Sequence, residues 1–144
     1  MIKIICVGKL KEKYLIDFVN DYLKRISKYH KIELIELRDS NIKDEGNEIS
    51  KYIKSNEFVV TMEISGNKLN SVDFSKKIDN WMMNYSNITF IIGGSDGIDE
   101  QIKNRSNYCL SFSDMTFPHG VFRGILLEQI YRGFKILNNE TYHK

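Results

Sequence analysis

The stretch MTFPHGVFRGILLEQIYRGFKILNNETYHK, residues 115–144, holds an unusual concentration of chemically capable side chains. Proline is tolerated in the first turn of a helix, where its missing N–H has no partner to lose, so a helix is predicted to begin near Pro118 and to continue to Leu137. The helical period places Arg123 one turn beyond His119, at the positively polarised end. The segment therefore predicts a long helix that starts with an imidazole and a guanidinium.

Three glycines lie inside this predicted helix, at positions 120, 124 and 133. Each costs about 1 kcal/mol of helix stability relative to alanine. Gly120 and Gly124 are one turn apart, which favours the close approach of another backbone along that side of the helix. The second backbone is expected from the same chain or from a partner subunit.

Upstream of this helix, short apolar runs alternate with amphipathic segments. Strands are predicted at Met1–Val7, Ile32–Leu37, Phe58–Ile64, Ile88–Ile92 and Tyr108–Phe112. Helices are predicted at Lys11–Tyr29, Glu48–Lys54, Asp99–Arg105 and from Ser71 onward, with a loop at Arg38–Gly46 and a turn at Gly66–Lys68. This alternation is typical of a parallel sheet covered on both faces, so a single three-layer α/β domain spanning residues 1–144 is expected.

The composition limits the classes of function. The 144 residues are 42% hydrophobic and 12% aromatic, enough for one ordered core, and the net charge of +2 does not by itself indicate a nucleic-acid binder. The apolar run Ile4–Val7 is too short for a membrane span, so a cytoplasmic protein without a membrane partner is expected. Cys6 and Cys109 are expected as small buried hydrophobes, and no metal-ligand spacing is present.

Ligands of parallel α/β sheets bind beyond the carboxyl ends of the strands. Two loops follow strands at that edge, namely Gly93–Gly97 and Ser113–Phe117. The glycines of the first loop permit close backbone approach to a ligand, although their offsets match neither a dinucleotide fingerprint nor a Walker A loop. A tight strand-to-helix turn without a ligand explains this loop equally well.

Several motifs in fixed order give the chain a family likeness. These are IIGGSDG at 91–97, SFSDMTFPH at 111–119, Arg123, LLEQIYRGFKI at 126–136 and YHK at 142–144. The combination closely resembles the RlmH family, ribosomal large subunit pseudouridine methyltransferases of the SPOUT superfamily. The likeness extends over the whole chain.

The resemblance implies a fold and an activity that periodicity does not reveal. The fold would be an α/β knot, in which the C-terminal segment passes through a loop to form a deep trefoil knot. The protein would be a homodimer that uses S-adenosylmethionine to methylate N3 of pseudouridine 1915 in helix 69 of 23S rRNA. Its substrate would be the assembled 70S ribosome, and no metal would be needed.

The resemblance also assigns residues. The expected cofactor contacts are Met62, Gly93, Phe112, Ser113, Asp114, Met115, Thr116 and Phe117. Two of them depart from the usual family pattern, since Met62 replaces a leucine and Asp114 adds a negative charge to the loop. Gly120 and Gly124 likewise replace larger residues.

The chemistry is expected near the end of the chain. His143 is the candidate base or orienting group for the weakly acidic N3–H, and Tyr142, Arg123 and Lys144 are candidates for holding the nucleotide. His119 is expected to pack beside Arg123 rather than to act in catalysis. The alternatives are a non-enzymatic ribosome-binding protein with the same fold and, less favoured because the phosphate fingerprint is missing, a nucleotide-dependent oxidoreductase.

Overall fold

The computed structural model describes residues 1–144. Five strands form one sheet in the order β2-β1-β4-β3-β5, and every neighbouring pair is parallel. In chain order the elements are β1 Ile2–Val7, α1 Lys13–Ser27, β2 Ile32–Leu37, α2 Ile42–Ser50, β3 Phe58–Lys68, α3 Ser71–Asn84, β4 Ile88–Ile92, α4 Glu100–Arg105, β5 Tyr108–Ser111 and α5 His119–Leu137. The predicted parallel α/β sheet is confirmed.

Two hydrophobic cores lie on opposite faces of the sheet. Successive side chains of a strand point to opposite faces, so Ile4 and Ile5 of β1 belong to different cores. The larger core joins the sheet to α1, α3 and α5, and the smaller core joins it to α2 and α4. This division gives the three layers that the alternating pattern predicted.

Helix α5 lies between α1 and α3 on the larger core. Its glycines make room for the side chains of α1: a Cβ at Gly120 would come within 2.9 Å of Leu15 Cδ1, and one at Gly124 within 2.3 Å of Phe18 Cε2. The predicted close approach is therefore present within the chain. It is made by side chains of α1 and the β1–α1 loop and not by a second backbone segment of the same chain.

The segment expected as a loop at Arg38–Gly46 is largely helical, because α2 begins at Ile42. The backbone N–H of Asp44 donates to Asn41 Oδ1 at 2.9 Å, which caps the helix and satisfies one of its unpaired N–H groups. Because this stretch is polar overall, its sequence did not indicate the helix cap or the buried face of the short helix.

Strand β3 also continues through the predicted turn at Gly66–Lys68. Its pairing with β5 shifts register after Met62 and resumes where Asn67 and Lys68 lie opposite Leu110 and Ser111. A Cβ on Gly66 would lie 2.9 Å from backbone atoms of Cys109, so glycine permits this close crossing. We call residues 63–68 the β3 extension.

The two cysteines are unpaired. Cys6 is fully buried, and burial raises the pKa of its thiol to about 12, whereas Cys109 is only partly buried. The expectation of two buried cysteines therefore holds fully for Cys6 alone. None of the five helices combines the length and hydropathy needed to cross a bilayer.

Candidate functional site

A cavity of about 640 Å³ opens at the carboxyl ends of β3, β4 and β5. This main cavity has a volume within the usual range for small-molecule sites, about 300–1,000 Å³. Its wall contains every residue that the family resemblance assigned to the cofactor, namely Met62, Gly93, Phe112, Ser113, Asp114, Met115, Thr116 and Phe117. Residues from strand β3 and from two loops that are distant in sequence thus meet around one space.

The glycine turn, residues 93–97, forms one side of the main cavity. The backbone N–H of Gly97 donates to Gly94 O at 3.0 Å, and Gly97 has φ +88°, a conformation that favours glycine. A Cβ on Gly93 would lie 2.5 Å from Gly97 O, closer than real Cβ contacts come. The segment is therefore both a tight strand-to-helix turn and a cavity wall.

The cavity loop, residues 112–117, forms another side and is held by its own polar groups. The Ser111 hydroxyl donates to Ser113 O at 3.1 Å, and the Met115 N–H donates to Ser113 Oγ at 3.0 Å. The carboxylate of Asp114 pairs with Lys68 Nζ at 2.5 Å, and its side chain is 80% exposed. Asp114 therefore links the loop to the β3 extension at the rim.

The wall also holds side chains that sequence reasoning missed, above all Glu63 and Lys103. Glu63 Oε2 accepts a hydrogen bond of 2.9 Å from the buried hydroxyl of Thr61, and Glu63 Oε1 lies 3.6 Å from Lys103 Nζ. Glu63 directly follows Met62 at the end of the buried part of β3. That position could have identified it, because functional groups collect at carboxyl ends of parallel strands.

Arg123 does not line the main cavity. Its side chain is only 2% exposed, and Nη1 donates to Glu36 Oε2 at 2.8 Å and to Gly8 O at 3.1 Å. Because Glu36 also accepts from the Leu10 N–H at 2.9 Å, the guanidinium ties the β1–α1 loop to β2 and α5. For Arg123 to hold a nucleotide directly, as expected, its buried guanidinium would have to leave the partly exposed Glu36.

His119 lies beside Arg123 as expected, and its carbonyl accepts from Arg123 Nε at 3.5 Å. His119 also lines the main cavity, which the sequence did not indicate. No group of three or more His, Cys, Asp or Glu side chains is placed to hold a metal ion.

The C-terminal tail, residues 138–144, folds back onto α1 and α5. Asn139 adopts a positive φ of 55°, a conformation that asparagine tolerates, and so reverses the chain. The Tyr142 ring packs edge-on against Tyr131 with centroids 4.9 Å apart, and its hydroxyl lies 3.2 Å from that of Tyr22. Burial, aided by the contact with Tyr22, raises the pKa of Tyr142. Tyr142 anchors the tail on the helices.

His143 lies at a second cavity of about 620 Å³ between α3 and α5. Its Nδ1 is 3.1 Å from Nη1 of Arg132, and Arg132 is paired with Glu128 at 2.6 Å. A guanidinium can only donate, so Nδ1 accepts and the neutral imidazole carries its proton on Nε2. The two cavities share the wall residues Leu110, Phe112 and Phe117, which places His143 across this wall from the main cavity.

Comparison with known proteins identifies the family of the chain. Residues 1–143 match the family described as "Predicted SPOUT methyltransferase". The chain belongs to the SPOUT methyltransferase family. The expected family and enzyme class, a methyltransferase, are thereby confirmed.

Two relatives extend this similarity over the full length of the chain. The chain is 50% identical to the "Ribosomal RNA large subunit methyltransferase H" of Clostridium tetani and also 50% identical to the protein of that name from Clostridium botulinum. Each match covers 99% of this chain and 99% of the relative.

A solved structure supports the fold. "The structure of a probable methylase family protein from Haemophilus influenzae Rd KW20" superposes with a TM-score of 0.59 at 11% identity, covering 99% of this chain and 70% of that one.

Proposed function

We propose that the protein methylates N3 of a pseudouridine in helix 69 of 23S rRNA, with S-adenosylmethionine as the methyl donor. The observation that carries the proposal is the main cavity, where all eight residues assigned from the family resemblance line one space. The matching of full-length relatives named as rRNA methyltransferases supports the class of substrate.

The main cavity fits this cofactor chemically. Its apolar wall residues, among them Ile92, Leu110 and Phe122, suit the adenine ring, and the glycine turn lets backbone come close to the ligand. Glu63 and Lys103 supply opposite charges on one wall. When bound, S-adenosylmethionine supplies a methyl group carried on a cationic sulfur.

The chain's own contribution is to position two reactants and to handle the proton of the target base. The His143 ring offers an N–H at Nε2 to the uracil-like ring, and release of Arg132 would free Nδ1 to accept the N3 proton. Tyr142 and Lys144 are proposed to hold the nucleotide beside it. Arg123 is proposed to support the site through the β1–α1 loop, because its guanidinium is buried there.

The surface beside the site suits RNA. The segment after β1 exposes Lys9, Lys11 and Lys13, and the Tyr14 side chain is 69% exposed. Lysines attract phosphates and an exposed ring can stack on an unpaired base, which is how proteins recognise RNA loops. Lys13 is partly neutralised by Asp17 at 2.6 Å, so the other two lysines provide most of the attraction.

We also propose that the protein is a homodimer formed through α3 and α5. The second cavity is largely apolar and open to solvent, lined in part by Val72, Ile125 and Phe117, and Val72 is 38% exposed. A second copy would cover this surface and bring its own tail beside the site. Both tails would then lie near the two main cavities.

An Ile125→Glu variant should be monomeric at micromolar concentration, because a buried charge at an interface costs several kcal/mol. The molar mass, measured by sedimentation equilibrium, should fall from two chains to one while the circular dichroism spectrum is retained. Tyr52→Glu is the matched control, since Tyr52 is 40% exposed and follows α2, on the opposite face of the sheet from α3 and α5. A dimeric Ile125→Glu protein would contradict this interface.

The trefoil knot is proposed as well. It is supported by the return of α5 from the edge strand β5 to a position between α1 and α3, and by the tight crossing of Gly66 over Cys109. Stretching the unfolded chain by its ends in optical tweezers should give a contour length shorter than that expected for 144 extended residues. A full contour length would rule out a knot.

The decisive experiment is transfer of a labelled methyl group from S-adenosylmethionine to 70S ribosomes from a strain that lacks this gene. The modified nucleotide is mapped by mass spectrometry, and free 23S rRNA serves as the second substrate. Label on a helix 69 pseudouridine is the expected result. Label elsewhere would change the target, and binding of the cofactor without any transfer would favour a non-enzymatic RNA-binding protein.

A further inference from the structure

Two oppositely charged side chains lie together in the wall of the main cavity without a close contact. Glu63 begins the β3 extension, and Lys103 lies on α4. The nearest atoms, Glu63 Oε1 and Lys103 Nζ, are 3.6 Å apart, and the two side chains are 13% and 39% exposed, respectively. At that separation they attract each other but form no hydrogen bond.

The Glu63 carboxylate is fixed at one oxygen and open at the other. Oε2 accepts from Thr61 Oγ1 at 2.9 Å, and Thr61 is itself fully buried and 2.8 Å from the Ser106 hydroxyl. Oε1 has only the distant Lys103 ammonium. The wall therefore presents a rigid acceptor beside a flexible cation, and both gain energy from a closer partner of opposite charge.

The other formally charged residue of this wall is already paired. Asp114 lies at the rim, bound to Lys68, and its side chain is 80% exposed. Glu63 and Lys103 are thus the pair available to a ligand that carries both charges. A zwitterionic α-amino-acid group carries both charges, because it has an ammonium and a carboxylate on one carbon.

We propose that Glu63 and Lys103 recognise the amino-acid end of the cofactor, with Glu63 accepting from its ammonium and Lys103 donating to its carboxylate. The inference rests on the proposed S-adenosylmethionine function and assigns the orientation of the ligand in the main cavity. The adenosine portion then occupies the rest of the main cavity, against the glycine turn and the cavity loop.

Two ligands that differ only at the amino-acid end test this orientation. S-Adenosylhomocysteine has the amino acid and a neutral sulfur, and 5′-methylthioadenosine has the neutral sulfur without the amino acid. Dissociation constants from isothermal titration calorimetry should rise about tenfold for S-adenosylhomocysteine in both Glu63→Gln and Lys103→Met, and less than about twofold for 5′-methylthioadenosine.

Decarboxylated S-adenosylmethionine separates the two roles. It keeps the ammonium and lacks the carboxylate, so Lys103→Met should leave its affinity unchanged while Glu63→Gln still weakens it about tenfold. The matched control is the Glu48 and Lys51 pair on α2, whose atoms are 2.6 Å apart on the exposed surface. Glu48→Gln and Lys51→Met should alter none of these affinities.

The outcomes distinguish this inference from the proposed function. If the unaltered protein binds S-adenosylhomocysteine and both variants bind it equally well, the assignment of Glu63 and Lys103 is wrong and the proposed function survives. If Glu63→Gln weakens S-adenosylhomocysteine and 5′-methylthioadenosine by the same factor, Glu63 acts on the adenosine portion and the proposed orientation is overturned. If the unaltered protein binds neither ligand, the proposed function fails as well.

Discussion

Deleting Tyr142–Lys144 should abolish methyl transfer to ribosomes while leaving S-adenosylmethionine binding intact. The tail carries the proposed proton-handling group, His143, and such groups contribute about 10²- to 10⁴-fold to a rate. None of the three deleted residues lines the main cavity. Single-turnover transfer and calorimetric binding, measured on the same preparation, separate the two effects.

The deletion should cost only modest stability. Tyr142 packs on the surface of Tyr131 and Tyr22, whereas the buried side of α5, with Leu127 and Ile130, remains in place. Thr141→Ala, at an exposed tail residue without a proposed role, is the control for altering the tail. His143→Ala should reproduce most of the loss, and a truncated protein that transfers methyl groups at the original rate would refute the assignment of chemistry to the tail.

The architecture could be predicted from the sequence because its signals are local. Runs such as Ile88–Ile92 are apolar, β-branched and bounded by polar or glycine residues, and all five predicted strands are present. Local patterns failed where long-range pairing decides the structure. The β3 extension continues as a strand through Gly66–Lys68, which resembles a turn in sequence, because it pairs with β5 in a second register. The residues around Gly66–Lys68 do not indicate that β5 is their partner.

The sequence allowed us to predict which backbone segments form the candidate site. It did not allow us to predict which side chains contact one another there. The glycine turn and the cavity loop follow strands, so topology alone brings them to one edge of the sheet. Whether a charged side chain faces the cavity depends on neighbours distant in sequence. Arg123 was expected at the nucleotide and is instead buried on Glu36, which lies 87 residues away.

Replacing Gly93 with alanine should weaken the binding of S-adenosylmethionine at least about a hundredfold. The new Cβ would lie 2.5 Å from Gly97 O and 2.8 Å from Gly97 C, and these backbone atoms cannot move without opening the turn. Overpacking of this kind costs about 1–3 kcal/mol of folding free energy. Urea unfolding should show that loss, and titration calorimetry should show an affinity lower by at least about a hundredfold, since the displaced turn is itself the cavity wall.

Two glycine replacements control for the added methyl group. At Gly97 a Cβ would meet no atom within 4 Å, so Gly97→Ala tests the effect of the positive φ without a steric clash. This variant should lose about 1–2 kcal/mol of folding free energy. At Gly133 in α5 the nearest atom would be an ordinary 3.5 Å away, so Gly133→Ala should be neutral or stabilising by up to about 1 kcal/mol. If Gly93→Ala bound the cofactor as Gly133→Ala does, the glycine turn would not be part of the cofactor site.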